Sequence, residues 1–207
     1  MSPNNSKIRV GITCGDPNGI GLEALADALS DDRTMAHIVP IVYAPRELAV
    51  KAFDNVPWGE VEDEAAAESG QINLVSFEAE EFDHKPGEAS QQAGAVAMES
   101  LQRAVAQLAK TNVDVLVTAP INKDTIRSAG FNFPGHTEYL ASEAGVEDVL
   151  MLLCCDGLRI GLATGHVALK EVSTELTSAK IVTKLKLMHE SLVRDFGIPS
   201  PRIAVLG

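Results

Sequence analysis

The chain has 207 residues, 45% of them hydrophobic, with 17 basic against 29 acidic side chains and a net charge of −12. That length supports a substantial core in one or two domains. The acidic balance, with no Lys/Arg cluster, argues against nucleic acid or an anionic membrane as partner. No apolar run approaches the ~18 residues a membrane span needs, and MSPNNSK lacks the charged-then-apolar pattern of a signal peptide, so the expected location is cytoplasmic.

Residues 7–13 (KIRVGIT) read as a first strand, followed by a glycine-rich turn and a helix in CGDPNGIGLEALADAL, residues 14–29. Asp16 and Asn18 suit Asx-type bonds to the turn, Gly19 and Gly21 allow close approach, and Glu23 suits a first helical turn. The spacing is neither Walker A nor GxGxxG. A ligand loop and a tightly packed turn both remain open here.

Residues 38–43 (IVPIVY) form a second strand, whose Pro40 suggests an edge position or an irregular start. Residues 46–53 suit a short helix. The acidic stretch 55–70, with the sole Trp at Trp58, reads as a surface excursion without evident chemistry. Residues 72–77 (INLVSF) make a third strand, and acidic residues 78–83 lead into a loop with His84, Pro86 and Gly87. His84 is expected to be merely exposed.

A long helix over 90–110 starts from a Ser N-cap and carries Ala97, Leu101, Ala104, Val105 and Leu108 at helical spacing. Gly94 and Ala95 near its start admit close backbone contact. The helix delivers the chain to residues 113–118 (VDVLVT), whose β-branched, nearly unbroken apolar run predicts a strand buried on both faces of a parallel sheet. Strand, helix and strand in that order make a right-handed crossover.

The chain is organised around the stretch that this strand leads into, APINKDTIRSAGFNFPGHTEYLA, residues 119–141. The carboxyl end of a strand in an open α/β sheet is where ligands bind. Asn122, Lys123 and Asp124 come first, then Gly130, Pro134 and Gly135, then His136, Thr137 and Glu138. Thr137 is the expected N-cap of a helix that stops at Gly145, which would set free N–H groups beside His136, a setting for phosphate or carboxylate. Spacing alone equally allows a capped, solvated turn.

Residues 149–155 (VLMLLCC) and 158–164 (LRIGLAT) flank Asp156-Gly157, a hairpin signal. Cys154 and Cys155 are expected to be core thiols, and with Cys14 they show no metal-site spacing. His166 comes just after the second strand and is placed to reach a cleft, though one His makes no metal site. A helix over 178–196 stops at Gly197, and residues 202–206 (RIAVL) begin a strand.

Four motifs, GDPNGIGLE (15–23), TAPINK (118–123), AGFNFPGHTEYLA (129–141) and ATGHVAL (163–169), occur in the order of one family. The chain resembles the 4-hydroxythreonine-4-phosphate dehydrogenases of pyridoxal phosphate biosynthesis, over nearly its whole length. The resemblance implies a two-lobed α/β/α fold similar to isocitrate and isopropylmalate dehydrogenases, with a first lobe over 1–120 and the start of a second over 121–207. It implies a homodimer whose site, in the cleft between lobes, is shared between subunits. NAD would take a hydride from a phosphorylated substrate whose β-keto product then loses carbon dioxide. A divalent metal, zinc, cobalt or magnesium, would polarise the reacting oxygen.

By the same resemblance His136 and Thr137 match the substrate-binding pair and His166 a metal-binding histidine. Asp16, Asn18 and Gly19 match a cleft-facing loop, and Lys123 the PINK lysine, which either binds substrate or supports the loop. Leu22 stands where the family has Pro, and TGHVAL replaces TTHIPL, loosening the backbone at Gly165 and Ala168 around the ligand position. The family runs on for roughly another hundred residues that carry two further metal histidines and most of the NAD site. The expectation is therefore a catalytically incomplete piece. Alternatives are a dehydrogenase for threonate or erythronate 4-phosphate, or a non-catalytic phosphate-binding module.

Overall fold

The computed structural model describes residues 7–79 and 82–206. The MSPNNSK reading, apart from Lys7, and residues 80 and 81 of the acidic stretch lie outside them. The chain divides into two compact units, residues 1–135 and 136–207.

The first unit is built on β1 (Ile8–Thr13), α1 (Gly21–Leu29), α2 (Asp32–Met35), β2 (Ile38–Ala44), α3 (Arg46–Ala52), β3 (Trp58–Glu60), β4 (Ile72–Ser76), α4 (Gln91–Ala109), β5 (Val115–Thr118) and α5 (Lys123–Ser128). All five strands are parallel, in the order β3-β4-β2-β1-β5. From β1 the chain moves outward through β2, and later returns across β1 to lay β5 on its other side. Right-handed crossovers running in opposite directions place α1 and α3 on one face and α4 on the other. Val10, Ile12, Ile41, Leu74, Leu48 and Phe53 are among the core that results.

β2 is a central strand, so of the two readings of Pro40 the edge position is corrected, while the irregular start agrees with a β4 ladder that begins one residue later. In a parallel ladder a residue's N–H and C=O point to the same side. The Pro40 carbonyl accepts from the side-chain amide of Asn73, on β4, while the β2–β4 ladder begins only at Ile41. The missing N–H therefore faces a side with no rung to lose. Residues 55–70, expected to be a surface excursion without evident chemistry, contribute β3 and the buried Glu64. The Tyr43 hydroxyl donates to Glu64 Oε1 at 3.0 Å, and burial, with that carboxylate beside it, pushes the Tyr43 hydroxyl up.

α4 begins as the sequence indicates, with Ser90 Oγ accepting from Ala93 N at 3.1 Å. Its buried stripe includes Ala97, Leu101, Ala104 and Val105, with Leu108 half-buried against the core. One polar residue interrupts that stripe. Ser100 Oγ donates to Tyr43 O at 2.6 Å and accepts from Cys14 N at 3.0 Å, tying the helix to the carboxyl ends of β2 and β1.

β5 departs from expectation. Among the described residues it pairs only with β1, and Val115 and Val117 are 43% and 45% exposed, so it is an edge strand with one uncovered face.

The second unit contains α6 (His136–Glu143), the hairpin β6 (Leu152–Cys155) and β7 (Leu158–Gly161), α7 (Val172–Glu175) and α8 (Ser178–Arg194). The hairpin turns at Asp156-Gly157 as expected, with Gly157 at φ +77° and Cys155 opposite Leu158. α8 packs on it near Gly161, where an added Cβ would lie 3.3 Å from Met188 Sδ. Its N-cap is Thr177, whose hydroxyl accepts from Lys180 N.

Three expectations fail in this unit. Cys154 and Cys155 are both exposed, at the turn end of a ribbon of only two strands, one face of which carries the exposed Leu153, Leu158 and Ile160. Residues 202–206 form no strand, having no partner to pair with among those residues. Thr137 is the second residue of α6 instead of its cap.

Cys14 is fully buried, and burial pushes its thiol up to about 11. In the native chain a thiol reagent should therefore modify Cys154 and Cys155 rapidly and Cys14 only after unfolding; fast labelling of all three would contradict this burial. The raised value also makes stability pH-dependent. The contribution of the protonated thiol is complete below the unfolded value near 9 and is lost as pH rises through about 11. Urea midpoints should accordingly fall over that window in the wild type more than in a Cys14→Ala variant.

Candidate functional site

Between β1 and β5 the strand order reverses, which makes their carboxyl ends the topological switch point of the sheet. Two loops leave from there, Cys14-Gly15-Asp16 after β1 and Ala119-Pro120-Ile121-Asn122 after β5. They are joined directly. Asp16 N donates to Pro120 O at 2.8 Å, and Ala119 N donates to Thr13 Oγ1 at 3.1 Å. Gly15 has φ +66° and an added Cβ would lie 2.3 Å from Pro120 O, so glycine is required twice over.

The polar atoms of the glycine-rich loop are largely engaged within the protein. Asp16 Oδ1 accepts from Asn18 N at 3.0 Å, and Asp16 O accepts from Gly19 N at 3.0 Å. Asp16 is half-buried and Gly19 exposed, while Asn18 is buried with its side chain bonded to residues 85–88. Among the described residues these bonds make the loop a packing and fastening element, with Asp16 Oδ2 the carboxylate oxygen that makes no hydrogen bond.

Lys123 stands exposed at the start of α5. That short helix is capped by Asn122, whose Oδ1 accepts from Asp124 N and Thr125 N at 3.0 and 3.3 Å. Gly94 of α4 sets its position. A Cβ there would lie 2.0 Å from Thr125 O, so the two helix backbones touch, and Gln91 Nε2 adds a bond to Ser128 O at 2.9 Å.

In the second unit His136 and Thr137 occupy the first turn of α6, both half-buried, and Tyr139 one turn on is buried. A first turn offers unbonded backbone N–H groups and a positive dipole end, the chemistry that holds an oxyanion. His166 is exposed, with φ +42°, just after Gly165. A cavity of about 410 Å³ in the first unit lies between α1 and α3. Its lining sets three carboxylates, Glu23, Asp27 and Asp54, against Lys51 and His84, which disfavours a phosphate, and it lacks Asp16 and Lys123, so the site is not placed there.

Among the described residues no group of three or more His, Cys, Asp or Glu is placed to hold a metal ion. The exposed His166 alone does not fit one, because a divalent metal needs several protein ligands. Residues that sequence reasoning missed are Thr13 and Ser100. For Ser100 the signal was present, a hydroxyl at helical spacing between Ala97 and Ala104 on an otherwise apolar face.

A parallel α/β sheet with a topological switch point defines the class of open-sheet α/β proteins, which bind small molecules at the carboxyl ends of their strands. The model of one family, described as pyridoxal phosphate biosynthetic protein PdxA, matches residues 33–207. A 4-hydroxythreonine-4-phosphate dehydrogenase from Bacteroides thetaiotaomicron is 37% identical over 206 residues, covering 97% of this chain and 57% of the relative. A D-threonate 4-phosphate dehydrogenase from Cupriavidus necator is 32% identical, covering 96% of this chain and 61% of the relative. The crystal structure of a 4-hydroxythreonine-4-phosphate dehydrogenase from Burkholderia phymatum superposes with a TM-score of 0.83 at 28% identity, over 95% of this chain and 61% of that one. The chain belongs to the PdxA family and spans about 60% of the length of these relatives. No described helix is long and apolar enough to cross a membrane.

Proposed function

We propose that this chain supplies part of the substrate-binding machinery of an NAD-dependent dehydrogenase acting on 4-hydroxythreonine 4-phosphate in pyridoxal phosphate synthesis. The observation that carries the reading is the pair of fastened loops at the switch point, in a chain whose relatives are named for phosphorylated hydroxy-acid substrates. In this reading Thr137 donates its hydroxyl to a substrate oxyanion, and the first-turn N–H groups of α6 orient that group. His136 holds the substrate beside them. Lys123 contributes positive charge against a chain of net charge −12. Asp16 accepts a hydrogen bond from a substrate hydroxyl or ammonium.

When bound, NAD supplies the acceptor for the hydride that leaves the alcohol carbon, and the β-keto product then decarboxylates. The residues of this chain do not by themselves fit a metal, and no step is assigned to one. A second copy of the chain as partner belongs to the same proposal. The 207 residues alone are expected to bind substrate without reducing NAD.

The test is a calorimetric titration of the chain with 4-hydroxythreonine 4-phosphate, with inorganic phosphate as control. His136→Ala should weaken substrate binding about tenfold, or ~1.4 kcal/mol. Equal affinity in the variant would remove His136 from the site. D-Threonate 4-phosphate is the second reading, favoured by the Cupriavidus relative; tighter binding of that compound would select it.

A further inference from the structure

Asn18 is 5% exposed. Its Nδ2 donates to Glu88 O at 2.8 Å and its Oδ1 accepts from Lys85 N at 3.0 Å. Its carbonyl accepts from Gly87 N at 2.8 Å, and its own N–H donates to Asp16 Oδ1 at 3.0 Å. Asp16 N then donates to Pro120 O at 2.8 Å. An unbroken run of bonds thus joins residues 85–88, Asn18, Asp16 and the loop after β5. Among the described residues Asp16 Oδ1 is engaged in this way, while Oδ2 makes no hydrogen bond.

We propose that Asn18 is a positioning residue that acts through Asp16 and does not itself touch the ligand. By clasping residues 85–88 to the loop after β1, it fixes the Asp16 carboxylate so that Oδ2 is presented at the switch-point crevice. There it accepts from the hydroxyl or ammonium group of a phosphorylated hydroxy or amino acid. This rests on the functional reading above. Both side-chain amide atoms of Asn18 are committed to main-chain partners, and the one remaining Nδ2 hydrogen belongs to a residue only 5% exposed, so the side chain is turned into the protein and away from a ligand. An aspartate held by an Asx-type bond has lost the side-chain rotation that would otherwise blur where its second oxygen sits. Lys85 and Glu88 are exposed, so if the clasp is cut their main-chain groups turn to water and the unit still folds.

The experiment compares the wild-type chain with Asn18→Ala, Asn18→Asp and Asp16→Asn by amide hydrogen exchange and by titration with 4-hydroxythreonine 4-phosphate. Asn18→Ala should speed exchange at Lys85, Gly87 and also Asp16 about tenfold, and weaken binding by a similar factor. Asn18→Asp keeps the acceptor for Lys85 and should restore part of both. Asp16→Asn should weaken binding with exchange at Lys85 and Gly87 unchanged. Loss of affinity in Asn18→Ala with all three amides still protected would overturn the proposal, since Asn18 would then be touching the ligand. Faster exchange with undiminished affinity would overturn it too. If the wild type binds no ligand, the functional reading fails separately. The positioning is then judged at Asp16 alone, where unchanged exchange in Asn18→Ala counts against it and faster exchange for it.

Discussion

Gly94→Ala should destabilise the first unit by about 2–4 kcal/mol, although alanine is the better helix former by about 1 kcal/mol. The added methyl carbon would stand 2.0 Å from Thr125 O and 2.3 Å from Thr125 C, atoms of a backbone that cannot swing aside as a side chain can. α5 would have to retreat from α4, taking Lys123 with it. Urea unfolding measures the loss, and Ala95→Gly on the exposed side of the same turn provides a control expected to cost only about 1 kcal/mol. A stabilised Gly94→Ala protein would show that the two helices are not in backbone contact.

Asn73→Ala should cost about 3 kcal/mol. The residue is fully buried, and its amide donates to Pro40 O at 3.0 Å and Glu68 O at 2.9 Å while its Oδ1 accepts from Glu68 N at 2.8 Å. A longer bond of 3.3 Å reaches Gln71 O, so truncation removes the side-chain partner of four main-chain groups, each worth about 1–3 kcal/mol where water does not replace it. Asn73→Asp should be at least as damaging at neutral pH, because a carboxylate would face the Pro40 and Glu68 carbonyls that the amide now serves. Thermal unfolding of both variants checks the order. An Asn73→Asp protein as stable as wild type would show that these carbonyls do not depend on the amide.

The strands with dense β-branched runs, β1, β2, β4 and β5, were legible in the sequence, as was α4 with its Ser90 cap and the turn at Asp156-Gly157. These features are set by neighbours close along the chain. The edge or centre of a sheet is not. Pro40 was misplaced because the side its nitrogen faces depends on a strand more than thirty residues away, and Val115 and Val117 read as buried although the sheet stops beside them. The same limit applies to the site. Motifs carried the resemblance and placed Asp16, Lys123 and His136 on loops and helix starts. The task of Asn18 was hidden, since its side-chain partners are main-chain atoms 67 and 70 positions away and leave no mark on residue type.

The strand order has a consequence in time. β1 sits at the centre of the first unit, yet one of its two neighbours, β5, is encoded about a hundred residues later: Arg9 N donates to the carboxylate of Asp114, 105 positions on. At ribosomal speeds of about 5–20 residues per second, roughly 5–20 s pass between the two. Throughout that interval the newborn chain can hold β1 against β2 but must leave its other flank, a line of unpaired amides beside Val10 and Ile12, open to whatever strand arrives first.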